Sequence, residues 1–116
     1  MNQRLVGSRF EEKAAAYLQE KGFRVLRRNF RCRIGEVDLV AQEGDTLVFV
    51  EVKYRGSGFC GGPEEAVNFA KQKKIRQAAQ AYLIQQGIPE DTCCRFDVVA
   101  ISGGTITHIQ NAFGGI

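Results

Sequence analysis

Two strand-like segments joined by a glycine and an aspartate constrain this chain more than any other feature. They lie in residues 35–53, GEVDLVAQEGDTLVFVEVK. A Gly-Asp pair between β-rich runs is typical of a two-residue hairpin turn with the glycine at positive φ. With Gly44 and Asp45 as the loop, Glu43 pairs with Thr46, and this pair sets the register of both strands.

That register places a group of charged side chains on one face of the hairpin. Counting back from the turn sets Asp38 opposite Glu51 and Glu36 opposite Lys53. Directly opposed residues of an antiparallel pair project from the same face, with Cβ atoms about 5 Å apart. The second strand contains the apolar run Leu47 to Val50, which predicts a central strand covered on both faces. The charges therefore converge at the end of a buried strand.

Two facing carboxylates in such a position need compensation. At about 5 Å and an effective dielectric of about 20 they repel by roughly 3 kcal/mol, against a net folding stability of only about 5–15 kcal/mol. A hard divalent cation such as Mg²⁺ converts this repulsion into ligation, because it binds one or two carboxylates together with substrate phosphates. Lys53 on the same face is a point charge suited to a phosphate or to an attacking water. The alternative is that Lys53 pairs with Glu36 and Glu51 in a structural network.

The composition is that of one compact globular domain spanning residues 1–116. Hydrophobic residues make up 44% and charged residues 25%, which are ordinary globular values. The net charge of +3 permits a polyanionic partner without requiring one. Met1 to Gly7 lack the apolar core of a signal peptide and no segment is long enough to span a membrane, so a cytoplasmic protein is expected.

The cysteine and histidine content does not predict a zinc site. The chain contains Cys32, Cys60, Cys93 and Cys94. They form no Cys-x-x-Cys pair, His108 is the single histidine, and reduced thiols are expected in a cytoplasmic protein. A cysteine-based metal or redox protein remains a minor alternative. We interpret His108 as structural, and Asp97 as the partner of Arg95 in a structural ion pair.

The segment before the hairpin predicts a helix and an edge strand. Apolar residues recur at helical spacing over Val6–Lys21, and Gly22 fits the position just after a helix end. The polar segment Phe23–Phe30 predicts an edge strand. Glu11 lies roughly 70° from the centre of the apolar stripe of the helix. It therefore either reaches toward the hairpin charges or complements the helix N-terminus, and spacing alone leaves both open.

The segment after the hairpin predicts a second helix and two further strands. Following a glycine-rich loop, Pro63 is typical of a helix start, and the helix should end near Gln86. Asn68 is a candidate second N-cap that would interrupt the helix. Strands are predicted over Arg95–Ile101 and Thr105–Gln110. The order is α-β-β-β-α-β-β, which predicts an α/β fold with a central mixed sheet and helices packed on it.

Basic side chains cluster at the end of the first strand and near the start of the second helix. They include Arg28 and Arg31 in the first cluster and Lys71 and Lys74 in the second. Such residues form either a phosphate-contacting surface, which suits the bidentate geometry of arginine, or a solvated face. Both interpretations stay open from composition.

Two short segments of the hairpin, residues 35–38 and 51–53, resemble the catalytic signature of the PD-(D/E)xK nuclease superfamily, which has the restriction-endonuclease-like fold. The residues that carry the resemblance are Gly35-Glu36-Val37-Asp38 and Glu51-Val52-Lys53. Within the superfamily the chain is similar to the uncharacterised YraN-type bacterial family, which is related to Holliday-junction resolvases. The similarity extends over nearly the whole chain, through RNFR at 28–31, RFDVV at 95–99 and NAF at 111–113.

The resemblance implies roles for individual residues of the hairpin. Asp38 and Glu51 would ligate Mg²⁺ or Mn²⁺ as catalytic residues, with the carbonyl of Val52 as a further ligand. Glu36 would lie next to these metal ligands and help to position them, without binding the metal itself. Lys53 would orient or activate the attacking water and stabilise the charge that develops on the phosphate.

The resemblance also extends to the helices, with two departures from the family pattern. Glu11 occupies the helix position where many of these nucleases carry an acid, and it would be a further catalytic residue. Phe10 stands where relatives usually have glycine, and Val37 stands where the superfamily name has proline. Nucleic-acid binding would fall to Arg28, Arg31, Lys71 and Lys74.

The function expected from these observations is metal-dependent phosphodiester hydrolysis in DNA or RNA, with DNA favoured and branched DNA among the candidate substrates. A four-way-junction enzyme would be expected to form a two-fold homodimer. The alternative is a nucleic-acid-binding module that keeps the nuclease fold but has little or no independent catalysis. That module would show salt-sensitive binding without turnover and would be insensitive to chelator.

Overall fold

The computed structural model describes residues 3–55 and 68–114. The elements are α1 (Gln3–Glu20), β1 (Arg24–Arg31), β2 (Glu36–Glu43), β3 (Thr46–Arg55), α2 (Phe69–Gln86), β4 (Cys94–Ser102) and β5 (Thr105–Ile109). The predicted order α-β-β-β-α-β-β is confirmed, and the architecture is consistent with a restriction-endonuclease-like fold. Neither of the described helices combines the length and the apolar character that crossing a membrane requires.

The five strands form one mixed sheet in the spatial order β1-β2-β3-β4-β5. Neighbouring strands are antiparallel except β3 and β4, which are parallel. A parallel pair needs a crossover connection, and here the connection between β3 and β4 includes α2. The predicted edge position of the polar first strand is confirmed by β1, and the predicted central position of the apolar strand is confirmed by β3.

The two faces of the sheet carry two separate hydrophobic cores. On one face Leu47 and Phe49 of β3 pack in a cluster with residues of α2 such as Ala79. On the other face Val48 and Val50 pack in a cluster with residues of α1. Successive side chains of a strand point to opposite faces, so a strand covered on both sides reads as an uninterrupted apolar run.

Helix α1 ends at a glycine, as its sequence predicts. Gly22 has φ +93°, and the Phe23 amide donates to the Leu18 carbonyl at 2.9 Å, as in a Schellman motif. The start of the helix differs from the prediction, because it begins at Gln3 rather than at Val6. Gln3, Arg4 and Leu5 have high helix propensities, so the helix extends through them toward the N-terminus.

Helix α2 begins at the second of its two candidate caps. Asn68 is extended, with φ −76° and ψ 170°, and its side chain accepts a hydrogen bond from the Lys71 amide at 2.9 Å. The predicted N-cap at Asn68 is therefore confirmed, and α2 begins at Phe69. The start predicted at Pro63 and the glycine-rich loop before it lie outside the described residues. The predicted end at Gln86 is confirmed.

A buried ionic network on β4 centres on Asp97, whose side chain has 0% of its surface exposed. Arg95 donates to both carboxylate oxygens, at 2.8 and 2.9 Å. His108 Nε2 lies 2.7 Å from Oδ2, and the Asn111 amide donates to Oδ1 at 3.0 Å. The predicted Arg95–Asp97 pair is confirmed, and Asp97 is the partner of His108 that the sequence did not reveal. Burial alone would raise the pKa of Asp97, but the hydrogen bonds from His108 and Arg95 outweigh it and lower the pKa.

We expect Asp97→Ala to lower the free energy of unfolding by about 3–5 kcal/mol at pH 7, because it removes the buried carboxylate that hydrogen-bonds to Arg95, His108 and the Asn111 amide. The folded-state pKa of Asp97 lies below its unfolded value, so its contribution is present above the unfolded value and is lost as the pH falls through the folded one. Urea denaturation at decreasing pH should therefore show a shrinking difference between the wild type and the variant.

The matched control for this experiment is Asp91→Ala, which changes an exposed aspartate between α2 and β4. It should alter the free energy of unfolding by less than about 0.5 kcal/mol at every pH. A wild-type advantage over the Asp97 variant that stays constant into acid would contradict the assignment of Asp97 as an ionised, hydrogen-bonded anchor.

Candidate active site

The hairpin of β2 and β3 has the register that its turn predicts, up to a defined point. The pairs run from Glu43–Thr46 at the turn to Leu39–Val50, and Gly44 has φ +59°. Past that point the alternation of an antiparallel ladder would have the Val52 amide donate to a backbone carbonyl of β2.

The side chain of Asp38 takes the place of that carbonyl. The Val52 amide donates to Asp38 Oδ2 at 2.8 Å. The predicted pairs Asp38–Glu51 and Glu36–Lys53 are therefore absent from the ladder, because at this point a carboxylate instead of the backbone bridges the two strands. This bond holds the Asp38 side chain against β3.

The predicted charged side chains of the hairpin line a single cavity of about 240 Å³. Its lining residues come from both helices and from the hairpin: Phe10, Glu11, Glu36, Asp38, Glu51, Val52, Lys53, Tyr54 and Lys71. At about 30 Å³ per water molecule the cavity has room for about eight waters. The sequence-predicted site residues of the hairpin, together with Glu11 and Lys71, are thus brought together.

Glu51 is the most buried charge in this cavity, with 4% of its surface exposed. Two ammonium groups compensate it: Lys71 Nζ lies 2.7 Å from Glu51 Oε1, and Lys53 Nζ lies 3.6 Å from the same atom. Burial alone would lower the pKa of Lys71, but the hydrogen bond to Glu51 and the charge of that carboxylate raise it overall. The Lys71–Glu51 contact was not predicted, because it depends on how α2 packs across the end of β3.

Asp38 carries the clearest electrostatic signature of the site. Burial, followed by the negative charge of Glu51, raises the pKa of Asp38 to about 7, and the hydrogen bond from the Val52 amide opposes the shift. Glu11 and Glu36 add smaller contributions of the same sign as Glu51. A carboxylate with a strongly raised pKa beside a second carboxylate in a cleft is a typical sign of a functional site.

Glu11 reaches the cavity from α1, and its position excludes a role at the helix N-terminus. The helix begins at Gln3, so Glu11 lies within the helix and not in its first turn. Its Oε2 accepts a hydrogen bond from Asn29 Nδ2 at 2.8 Å. Burial, with a contribution from the charge of Glu36, raises the pKa of Glu11 although the bond from Asn29 lowers it.

Asn29 is a site residue that the sequence analysis did not single out. It lies on β1 with φ +53°, a left-handed conformation that asparagine adopts more readily than most residues. In this conformation its amide holds Glu11 at the edge of the cavity. One feature of the sequence could have pointed to Asn29. Asparagine is uncommon in strands, yet it occurs here inside a strand-like, arginine-rich segment.

The predicted nucleic-acid-binding residues other than Lys71 lie outside the cavity lining. Arg28 forms an ion pair with Glu12 of α1, and Arg31 Nε lies 3.2 Å from Glu36 Oε2 at the surface. Lys74 lines an adjoining groove between α2 and the β1–β2 loop. These residues therefore flank the cavity as exposed charges.

The β1–β2 loop meets α2 through Gly35. A Cβ atom at this position would lie 3.0 Å from the Lys74 carbonyl oxygen and 3.2 Å from Lys74 Cβ. Both neighbours belong to the body of the helix, so any side chain at position 35 would push the loop away from α2. The glycine of the signature thus allows the close approach that keeps Glu36 beside the cavity.

The carboxylates of the cavity suit a magnesium or manganese ion that takes only one or two ligands from protein side chains. Among residues 3–55 and 68–114, no group of three or more His, Cys, Asp or Glu side chains forms a complete metal site. Mg²⁺ commonly binds proteins through only one or two carboxylates, with water and phosphate oxygens completing the octahedron. Asp38 and Glu51 supply that pair of carboxylates, and Val52 lines the same cavity.

The described cysteines lack the features of a reactive site. Cys32, Cys93 and Cys94 are free, and Cys60 lies outside the described residues. Burial and the neighbouring Cys93 raise the pKa of Cys94, which disfavours the nucleophilic thiolate. The structure therefore adds no support to the cysteine-based alternative.

Sequence comparison places the site within a family. The model of the uncharacterised protein family UPF0102 matches residues 10–101, a range that includes the cavity residues from Glu11 to Lys71. The UPF0102 protein of Lachnoclostridium phytofermentans is 50% identical over 97% of this chain and 96% of its own length. The corresponding proteins of Geobacter metallireducens and Persephonella marina are 45% and 44% identical, over 97% and 92% of this chain and 95% and 91% of their own lengths. The chain therefore belongs to the UPF0102 family, which confirms the YraN-type resemblance.

Proposed function

We propose that the protein is a metal-dependent endonuclease that hydrolyses phosphodiester bonds in nucleic acid, with DNA favoured over RNA. The observation that carries this proposal is the meeting of Asp38 and Glu51 in one small polar cavity, with Lys53 beside Glu51. Burial, followed by repulsion from the Glu51 carboxylate, raises the pKa of Asp38. The resemblance to PD-(D/E)xK nucleases supplies the reaction class.

Asp38 and Glu51 would hold Mg²⁺ or Mn²⁺, with the Val52 carbonyl as a further ligand. When bound, such an ion polarises the scissile phosphate and lowers the pKa of a bound water. The Val52 amide fixes one oxygen of Asp38 at 2.8 Å, so this ligand needs little reorganisation. Glu36 lies at the rim, where its negative charge contributes to the raised pKa of Asp38.

The lysines of the cavity provide positive charge for the phosphate and the water. Lys53 follows Glu51 by two residues on β3, and its ammonium lies 3.6 Å from the Glu51 carboxylate. From there it would orient the water and stabilise the negative charge of the transition state. Lys71 contacts the same carboxylate from α2 at 2.7 Å and would exchange this contact for a phosphate oxygen when substrate binds.

A second candidate function is a nucleic-acid-binding module that does not cut. The observation in its favour is that Lys71 and Lys53 both contact Glu51, so the chain supplies part of the compensating charge itself. Such a module would bind nucleic acid in a salt-sensitive manner, without turnover and without response to chelator.

We expect Mg²⁺ to stabilise the wild type against thermal unfolding and to leave Asp38→Asn nearly unaffected. An ion that binds only the folded state at a hundred times its dissociation constant adds about 2.7 kcal/mol to the free energy of unfolding. In chelator the order should reverse, with Asp38→Asn the more stable protein. Asparagine cannot ionise, so it avoids both the burial of a charge and the repulsion by Glu51 that raise the pKa of Asp38 to about 7, while its side-chain oxygen can still accept from Val52.

Asp45→Asn, in the exposed hairpin turn, is the control for this measurement, carried out by calorimetry with and without Mg²⁺. It should respond to Mg²⁺ as the wild type does. An equal response to Mg²⁺ in the Asp38 variant and the wild type would contradict ligation by this carboxylate.

For catalysis, we expect Asp38→Asn and Glu51→Gln to reduce cleavage to background. Lys53→Met should slow it by about 10²–10³-fold, the usual cost of removing one group that stabilises transition-state charge. The assay uses single-stranded, duplex and branched DNA and RNA with Mg²⁺, and EDTA should stop the reaction reversibly.

Lys73→Met changes an exposed lysine of α2 outside the cavity lining and serves as the charge-matched control for Lys53→Met. Full activity of the Asp38 variant would end the proposal. Salt-sensitive binding that persists in EDTA, with no cleavage of any substrate by the wild type, would instead support the binding module.

A further inference from the structure

Tyr54 forms an aromatic surface at the rim of the carboxylate cavity. Its ring stacks on Phe10 of α1, with ring centroids 4.0 Å apart and planes 19° from parallel. Yet 51% of Tyr54 is exposed. One face of the ring is covered by Phe10, and this exposed fraction indicates that the other face is open to solvent.

A single exposed aromatic residue is common on protein surfaces, so the meaning of Tyr54 comes from its position. Tyr54 follows Lys53 directly on β3, and both Tyr54 and Phe10 line the cavity that contains Asp38 and Glu51. Lys13 Nζ lies 5.8 Å from the centroid of the Phe10 ring. An aromatic surface with ammonium groups nearby matches the pattern of single-strand binding sites, where cations follow the phosphates and aromatic rings stack on bases.

The size and charge of the cavity indicate which part of a nucleic acid enters it and which part stays at its rim. It measures about 240 Å³, and its walls between the two aromatic residues are largely charged. A phosphate with bound waters suits such a polar cavity, whereas the aromatic surface on which a nucleobase can stack is provided, among the lining residues, by Phe10 and Tyr54. Inside a duplex each base is stacked on both sides, so only an unpaired base offers a free face to a protein ring.

We propose that Tyr54, supported from behind by Phe10, stacks on an unpaired nucleobase adjacent to the phosphate that enters the cavity. The proposal rests on the proposed function and narrows its substrate class to single-stranded, frayed or branched nucleic acid. Tyr54 is a specificity-determining residue in this scheme, and the phosphate-binding groups remain those of the cavity.

A purely structural role for Tyr54 makes a different prediction. If the ring served only to fasten α1 to β3, an aliphatic side chain would pack on Phe10 nearly as well and binding would not change. Tyr54→Leu therefore keeps apolar packing and removes the π face, while Tyr54→Phe keeps the π face and removes the hydroxyl.

The test measures binding by fluorescence anisotropy in the Asp38→Asn background, so that no substrate is consumed. The probes are a DNA hairpin with a single-stranded tail, the same hairpin with a blunt end, and tailed hairpins with one abasic position each. Because the duplex end sets the register, one abasic position should weaken binding of the parent by about 5- to 150-fold, the range for stacking of one base.

Tyr54→Leu should weaken binding of the intact tailed hairpin by a similar factor and show no further loss with that abasic probe. Tyr54→Phe should bind as the parent does, and affinity for the blunt hairpin should stay unchanged in all variants. Ile84→Ala, which changes an exposed apolar residue of α2 outside the cavity lining, is the control for general loss of surface hydrophobicity. Thermal unfolding verifies that each variant is folded.

Equal losses for tailed and blunt hairpins, or independent effects of Tyr54→Leu and the abasic position, would overturn the stacking assignment. Full affinity of Tyr54→Leu for the tailed hairpin would also overturn the stacking assignment. If Asp38-dependent cleavage were observed at the same time, the proposed function would be retained without the stacking assignment. Absence of both binding and cleavage in the wild type would overturn the two proposals together.

Discussion

The electrostatic relation between Asp38 and Glu51 is the constraint around which this structure is arranged. Two carboxylates approach each other at the end of a buried strand pair, where burial raises the pKa of Asp38 and the charge of Glu51 adds to this shift through repulsion. The chain offsets it with the Val52 amide on Asp38 and with two ammonium groups on Glu51. A cavity that buries two like charges close together in this way costs stability, and such costs are typical of functional sites.

The fold supplies this arrangement by bringing four elements to one end of the sheet. The hairpin provides the acids, α1 brings Glu11, and α2 brings Lys71 to the Glu51 carboxylate of β3. Gly35 lets the β1–β2 loop lie directly against α2, so the loop and helix can border the cavity together. The hydrophobic cores on the two faces hold both helices in place, which gives the site a rigid frame.

A comparison of two sheet aspartates separates structural from functional burial of charge. Asp97 is fully buried, but Arg95, His108 and the Asn111 amide hydrogen-bond to it, and its pKa is lowered. Asp38 receives one backbone hydrogen bond and faces another carboxylate, and its pKa is raised. The first arrangement stabilises the ionised state within the chain itself. The second disfavours the ionised state, as we expect of a site whose proposed role is to bind a metal ion.

The sequence alone was sufficient for the element order, for the hairpin register from the turn to Leu39–Val50 and for the acids of the hairpin that line the cavity. These depend on local rules: the Gly44-Asp45 turn sets the register, the uninterrupted apolar run marks β3 as central, and Gly22 ends α1. Glu11 remained ambiguous until the start of α1 was known, because the same spacing suits an N-terminal and a mid-helix position. Three contacts were decided only by the tertiary structure. Lys71 forms an ion pair with Glu51, Asn29 donates a hydrogen bond to Glu11, and His108 hydrogen-bonds to Asp97. Each of these contacts joins side chains of two different elements, and its geometry depends on how helices and strands pack, which no local pattern encodes.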